Sequence, residues 1–206
     1  MLDKMEWFGH DAFKIEADGK VIYTDPFRLY GDLPKADVIL VTHEHYDHCS
    51  PEDIEKITGP DTVVVAPGEC EGKLKGNIRK VKPGDRLTVA GVDIEAVPSY
   101  NTNKKFHPKA NNWVGYIFTV QGQRIYIAGD TDHIPEMKGY RCDIALLPVS
   151  GTYTMTAEEA VHAAEDIKPK VAVPMHHGSI VGTLDDGETF KKLYKGKTHI
   201  FKARQK

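Results

Sequence analysis

A continuous apolar run, Val38-Ile39-Leu40-Val41, passes through Thr42 directly into His43-Glu44-His45-Tyr46-Asp47-His48, and this junction constrains the fold more than any other segment. Four consecutive apolar residues read as a strand covered on both faces, as in a parallel sheet flanked by other layers. Such a strand delivers whatever follows it to one fixed point. In extended backbone His43, His45 and Asp47 share a face, while His48 begins the turn toward the next element. Three imidazoles and a carboxylate within six residues can therefore serve two metal sites from one loop. Neutral imidazole suits zinc, and a carboxylate can hold a second cation or orient a water. The competing reading, a solvated loop that happens to be rich in histidine, is weakened by its delivery from a core strand.

Composition narrows the donor types. The sequence has ten histidines but only three cysteines, Cys49, Cys70 and Cys142, with no C-x-x-C spacing. A disulfide framework or a thiolate zinc knuckle is thereby disfavoured, so a metal site must be built from imidazole and carboxylate. A length of 206 residues suits a single domain spanning 1–206. Twenty-seven basic against thirty acidic residues give a net charge of −3, which supplies no global cationic field for nucleic acid. No apolar run approaches the roughly 18–20 residues needed to span a bilayer. Asp3, Lys4 and Glu6 stand where a leader would need apolar residues. The expectation is a cytoplasmic chain with no membrane partner.

Patterning supplies many short strands and two helices. Trp7–Phe8, Ala12–Ile15 and Val21–Thr24 read as strands joined by hairpins at Gly9-His10-Asp11 and Ala17-Asp18-Gly19. Ser50 followed by Pro51, Glu52 and Asp53 predicts a helix over Pro51–Ile57. Strands are predicted at Thr62–Ala66, Ile78–Val81, Arg86–Val89, Val92–Val97, Val114–Val120, Arg124–Ala128, Ile144–Leu147 and Val171–Val173. Thr156 with Glu159 forms a capping box, and a helical apolar stripe runs to Ile167 before Lys168-Pro169 stops it. Strands enough for two sheets, with histidines at strand ends, describe a layered α/β sandwich better than a Rossmann fold.

The quartet matches the signature H-x-H-x-D-H at His43, His45, Asp47 and His48, and in it the sequence resembles the metallo-β-lactamase superfamily. Gly129-Asp130-Thr131-Asp132 resembles the family's later aspartate, and Pro174-Met175-His176 resembles its last histidine ligand. Trp7-Phe8-Gly9-His10, Thr24-Asp25-Pro26-Phe27 and the segment from Leu147 to Met155 look like the branch that contains ascorbate-6-phosphate lactonase and many metal-dependent hydrolases. The matches run from about residue 5 to residue 178. The resemblance implies a four-layer αββα sandwich with a binuclear centre at one edge. It assigns His43 and His45 to a first metal, Asp47, His48 and His176 to a second, and Asp130 as the bridge between them.

The chain departs from the family at the third ligand of the first metal. Where the family carries a histidine after the strand ending near Pro98, this sequence has Ser99-Tyr100-Asn101. His107 is the nearest imidazole, and it is preferred over Asn101 because imidazole is the better zinc ligand. Two Zn²⁺ ions are the expected cofactors, with Mn²⁺ or Fe²⁺ as alternatives. Bound zinc lowers the pKa of water from about 15.7 to about 7, so metal-bound hydroxide is available at neutral pH. Asp47 is then placed to pass a proton toward the leaving group.

The residues around the quartet have weaker readings. His10 is expected at the rim of the site, with Asp47 and Asp130, as a group acting in catalysis. Asp25 is expected to accept a hydrogen bond from a ligand's second ring nitrogen, although Asp-Pro is also an ordinary turn starter. Lys104 and Lys105, in the long loop from Ser99 to Asn112, either attract a phosphate or carboxylate or simply face solvent. Tyr153 either meets substrate or connects a strand to a helix. Cys49 reads as a packed residue rather than a thiolate. His133 is expected to line the cleft, His162 to be structural, His177 to be the alternative ligand to His176, and His199, near the basic tail Lys202–Lys206, to lie at the surface.

The resulting expectation is a metal-dependent hydrolase acting on a small ester, lactone or phosphoester, with an anionic substrate among the options. Self-association stays open. A phosphodiesterase or nuclease acting on nucleic acid is the alternative within enzymes, disfavoured by the net charge. A diiron protein of this fold would resemble H-x-E-x-D-H, and His45 stands in place of that glutamate. A non-catalytic metal-binding protein is the alternative outside enzymes.

Overall fold

A computed structural model describes residues 1–204; Gln205 and Lys206, the end of the basic tail, lie outside the described residues. The first sheet contains β1 (Met5–Gly9), β2 (Ala12–Ala17), β3 (Lys20–Thr24), β4 (Val38–Leu40), β5 (Val63–Pro67) and β6 (Asn77–Val81), in that spatial order. The second contains β7 (Arg86–Val89), β8 (Val92–Pro98), β9 (Val114–Val120), β10 (Gln123–Ile127), β11 (Ile144–Pro148) and β12 (Val171–Met175), ordered β12-β11-β10-β9-β8-β7. Three helices follow strands: α1 (Pro51–Ile57) after β4, α2 (Ala157–Ile167) after β11 and α3 (Leu184–Leu193) after β12.

Each sheet is antiparallel on one side and parallel on the other. β1, β2 and β3 form a meander, whereas β3 through β6 run parallel; β7 through β10 are antiparallel, and β10, β11 and β12 are parallel. The β2–β3 hairpin closes on Asp18 and Gly19 at φ 53° and 68°, the left-handed pair that matches strand twist. Three of the parallel strands, β4, β11 and β12, are buried at every position, as expected where both faces of a strand are covered.

Alternation along the first sheet sorts its side chains between two cores. Trp7, Ile22, Leu40 and Val65 join a core shared with Tyr116, Phe118 and Ile127 of the second sheet, which continues to Ala160, Ala164 and Ile167 of α2. Phe8, Tyr23, Ile39 and Val64 point the other way and pack with Ile54 and Ile57 of α1. The order is helix, sheet, sheet, helices, as expected of the αββα sandwich. Tyr116 links the two sheets beneath the histidine loop, its Oη donating to Val41 O at 2.8 Å and to Val65 O at 3.1 Å. Tyr116→Phe strips those buried carbonyls of a donor and is expected to cost about 1–3 kcal/mol. A lowered urea midpoint at unchanged slope would show it, and an unchanged midpoint would deny the link.

Helix α1 starts and stops where the sequence places it, with Asp53 N donating to the Ser50 Oγ cap at 3.3 Å. Helix α2 carries the expected capping box: Glu159 N donates to Thr156 Oγ1 at 3.2 Å and Thr156 N to Glu159 Oε2 at 2.9 Å. Helix α3 is not anticipated by the apolar pattern. Phe190 is its one fully buried large side chain and Gly187 interrupts it, so no apolar stripe announces it; its signal is the capping pair Thr183 and Asp186.

Candidate metal centre

Strand ends and hairpins of both sheets converge on one point. The segment after β4 brings His43, His45, Asp47 and His48; the loop after β8 brings Asn101 and His107; Ala128-Gly129 after β10 brings Asp130; and β12 ends at His176. The β1–β2 hairpin adds His10 and Asp11 from the opposite side. Gly129 is required at this crossing: it sits at φ 61°, and a Cβ there would stand 2.9 Å from Thr42 Cβ. His10, Asp25 and His176 also hold positive φ, at 54°, 38° and 58°. Left-handed backbone costs a non-glycine residue of order 1–3 kcal/mol, and such strain concentrates where side chains must be aimed.

Asp130 is the centre of the arrangement. Its Oδ2 lies 3.2 Å from His107 Nε2 and 4.0 Å from His43 Nε2, while its Oδ1 lies 3.0 Å from His176 Nε2 and 3.4 Å from His48 Nε2. Each carboxylate oxygen therefore faces a different set of imidazoles. His43, His45, His107 and Asp130 each offer a ligand atom within 4.8 Å of the others, and so do His10, His48 and His176. Between His43 Nε2 and His45 Nδ1 the separation is 3.0 Å. Oδ1 of Asp130 and Nε2 of His48, His107 and His176 are buried without hydrogen-bond geometry to any partner. Buried polar atoms are normally paired, so this convergence of unpaired donors is what a cation would satisfy.

In four of these histidines the other ring nitrogen is engaged. His43 Nδ1 faces Thr42 Oγ1 at 3.0 Å, His48 Nδ1 faces Asp25 Oδ2 at 2.8 Å, His107 Nδ1 faces Asn101 Oδ1 at 3.2 Å and His176 Nδ1 faces Ser150 Oγ at 2.9 Å. These acceptors assign the proton to Nδ1 and leave the Nε2 lone pairs directed inward, the usual way a protein orients imidazole ligands. Asp25 also accepts from Thr42 N at 2.8 Å and Thr42 Oγ1 at 2.7 Å, so one carboxylate positions both His48 and, through Thr42, His43.

Electrostatics follow burial and the central carboxylate. Burial pushes His43 well below its ordinary pKa, lowers His45, and takes His10 down to about 4, keeping them neutral at pH 7. Burial also works against charge on His48 and His176, but the nearby carboxylate of Asp130 outweighs it and holds both above the usual range. For Asp130 burial alone would raise the carboxyl; His176 and His48 hold it well below the usual value instead. Burial raises Asp11 to about 7, against the pull of His176 and His48.

Most of the expected site residues meet here. His43, His45, His48, His107, Asp130 and His176 all face the centre. Of the two candidates for the first metal's remaining ligand, His107 brings a nitrogen to Asp130, whereas Asn101 is spent on hydrogen bonds. Its Oδ1 accepts from His107 N at 3.0 Å, and its Nδ2 donates to Asp132 Oδ1 at 3.1 Å and Tyr153 O at 3.0 Å. Asp47 stands outside the two tight donor sets, with Oδ2 at 3.1 Å from His10 Nε2, and lines the cleft. His10 is not at the rim: it is 1% exposed, with its ring centroid 3.9 Å from that of His176.

Other expectations are corrected. His133 does not line the cleft; it pairs with Asp166 of α2 at 2.7 Å. His177 turns away from His176, its ring against Trp7 and its Nδ1 3.2 Å from Thr183 O. His199 is half-buried against Phe201 rather than free at the surface. Lys104 offers no open charge, since its Nζ lies 2.7 Å from Asp132 Oδ1 and 3.7 Å from Glu159. Cys49, by contrast, is the packed residue expected: it is buried in the core beneath α1, and Cys70 is buried there with it.

Sequence reasoning missed the buried Asp11, whose two carboxylate oxygens have no hydrogen-bond partner. It also missed Ser150 behind His176, and Asp132, which accepts from Thr102 N at 2.7 Å and Asn103 N at 3.2 Å and so shapes the loop that carries His107. The neighbouring Asp130 of the same motif was the available signal for Asp132; nothing local marks Ser150 or Asp11.

A cleft of about 260 Å³ opens onto this centre, lined by His45, Asp47, His107 and Asp130 at its floor and by Tyr46, Phe106, Tyr153 and Ile180. Trp113, 5% exposed, packs its ring against His43 and His45 at centroid distances of 5.0 and 4.9 Å.

The family described as the beta-lactamase superfamily domain matches residues 4–176. A UPF0173 metal-dependent hydrolase of Methanopyrus kandleri is 34% identical over 209 residues, an alignment covering 92% of this chain and 90% of the relative. A second, from Thermoplasma acidophilum, is 34% identical over 205 residues with the same coverage, 92% and 90%. Among solved structures, a candidate metal-dependent hydrolase of Parabacteroides distasonis superposes with a TM-score of 0.85 at 38% identity, covering 98% of this chain and 93% of its own. A metallo hydrolase of the archaeon Ignicoccus hospitalis gives a TM-score of 0.76 at 25% identity, covering 98% and 95%.

Proposed function

The chain belongs to the beta-lactamase superfamily and, within it, to the family of UPF0173 metal-dependent hydrolases, and we propose that it hydrolyses a small ester, lactone or phosphoester with two zinc ions held about Asp130. The observation that carries this reading is the division of Asp130, one oxygen toward His107 and the other toward His48 and His176. His43, His45, His107 and Asp130 would hold the first ion. His48, His176 and Asp130 would hold the second, with Asp47 as its cleft-side donor. Three imidazoles and a carboxylate suit zinc in the first position. Bound there, such ions polarise the scissile group and bring a water's pKa near neutrality.

The chain's own residues supply the rest. Asp47 borders the cleft; burial would raise its carboxyl, but the hydrogen bond from His10 holds it below its ordinary value, so it stays ionised at neutral pH. An ionised carboxylate there can take the proton released by an attacking water and return it to the leaving oxygen. Neutral His10 is a positioning residue, keeping Oδ2 of Asp47 turned toward the centre. Asp25, Thr42, Asn101 and Ser150 hold the ligand rings, which saves the reorganisation that loosely held ligands would need.

The test is turnover after metal removal and return. Protein stripped by a chelator is expected to lose hydrolysis of simple aryl esters and regain it with zinc. Its unfolding free energy is expected to rise by about 2.7 kcal/mol per site at a hundredfold excess over Kd. Stoichiometric metal retention with no turnover on esters, lactones or phosphoesters would favour a binding protein instead. The roles of His107 and Asn101 separate by metal content. His107→Ala is expected to empty the first site, whereas Asn101→Ala weakens affinity by about 10–100-fold without removing a ligand. Loss of the ion in Asn101→Ala alone would reverse that assignment.

A further inference from the structure

The mouth of the cleft is aromatic, and its charge is one-sided. Tyr46 is 68% exposed, Phe106 44% and Tyr153 37%, and the last two meet edge to face with ring centroids 4.8 Å apart. Exposed aromatics gathered at a concave site mark a surface that a ligand covers. The charged residues among the lining are the carboxylates Asp47 and Asp130, and no lysine or arginine lines the cleft among the described residues. Of the nearby cations, Lys104 pairs with Asp132, Lys73 with Glu44 at 2.8 Å, and Arg28 lies over the Phe27 ring at 5.0 Å, while Lys105, next to Phe106 in sequence, is exposed and does not line the cleft. Recognition of a phosphate or carboxylate remote from the reacting bond calls for arginine or lysine donors at that distance. Away from the reacting bond such a group would meet the aromatic rings, with no cation in the lining to receive it.

We propose that the substrate is an ester or lactone whose non-reacting part is uncharged and apolar, an alkyl chain or aryl ring laid against Phe106, Tyr153 and Tyr46, and that phosphorylated and nucleotide substrates are excluded. This rests on the hydrolase reading and narrows its substrate class. Phe106, Tyr153 and Ile180 are the residues that determine the preference, since their side chains border the cleft and belong to neither donor set.

The experiment uses zinc-loaded protein and three p-nitrophenyl esters, those of acetate, hexanoate and the hemiester of succinate, whose free carboxylate probes for a cation. Hexanoate is expected to exceed acetate in kcat/KM by about tenfold or more, carried by KM, because buried methylenes add binding, and hemisuccinate is expected to fall below acetate. Phe106→Ala and Tyr153→Ala are expected to bring the hexanoate-to-acetate ratio toward one. Ile180→Lys, which places a cation at the mouth, is expected to raise hemisuccinate relative to hexanoate. Hemisuccinate matching hexanoate in the native protein, or a ratio unmoved by both aromatic variants, would overturn the proposal. If no ester or phosphoester turns over, the hydrolase reading fails. Calorimetry then decides the cleft's preference separately: hexanamide binding more tightly than succinamate supports it, and the reverse order or equal binding overturns it.

Discussion

Asp130→Ala is expected to remove both ions at once. Zinc per chain, measured after gel filtration, should fall from about two to well below one, since each candidate site loses the same carboxylate. Ester hydrolysis should fall by at least about a thousandfold, roughly 4 kcal/mol in the barrier. The size of the effect comes from position: Asp130 is 5% exposed, and its two oxygens face imidazoles on opposite sides. A ligand serving only one site would leave about one ion behind. His107→Ala, which touches Oδ2 alone, is the natural control for that intermediate result.

Asp25→Ala is expected to be the most destabilising change near the centre. Its buried carboxylate accepts from Thr42 N, Thr42 Oγ1 and His48 Nδ1. Truncation leaves a buried imidazole and a backbone donor without partners, at a cost of about 3–5 kcal/mol. For a chain of this length that corresponds to a fall in Tm of roughly 6–20 °C, at about 2–4 °C per kcal/mol. Zinc affinity should drop by about 10–100-fold through the freed His48 ring. Asp25→Asn retains an acceptor for Thr42 and should recover part of the stability. Thermal unfolding with and without zinc reads both effects, and a Tm within about 1 °C of the native value in the alanine variant would show that Asp25 does not hold the site together.

How much of this was legible in the residues depends on how local each signal is. Strand β4 and its histidines were readable because an unbroken apolar run and a dense donor cluster are adjacent in sequence. The β2–β3 hairpin was readable from Ala17-Asp18-Gly19, whose last two residues sit at positive φ as such turns require. Helix α3 was not, because a helix that buries only Phe190 and Gly187 shows no stripe. In the centre, donors that match a motif were found, whereas their supports were not. Ser150 reaches His176 and Asp132 reaches the loop carrying His107 only because two sheets bring distant strand ends together. Lys104 illustrates the converse: near His107 in sequence it read either as an anion receptor or as a solvated charge, and its partner Asp132 lies twenty-eight residues away.

His10 shows the same limit for burial. In a hairpin between Gly9 and Asp11 an imidazole reads as a rim group, but the rings of Phe27, His48 and His176 enclose it, with His176 N donating to His10 O at 3.1 Å. Aromatic residues at the cleft mouth were likewise scattered through three segments, so their convergence on one surface had no trace in spacing.

Anomalous diffraction at the zinc edge from crystals of the zinc-loaded protein tests the binuclear centre most directly. Two peaks are expected on either side of Asp130, one among His43, His45 and His107, the other beside His48 and His176. A single peak, or peaks that leave Asp130 uncoordinated, would contradict it.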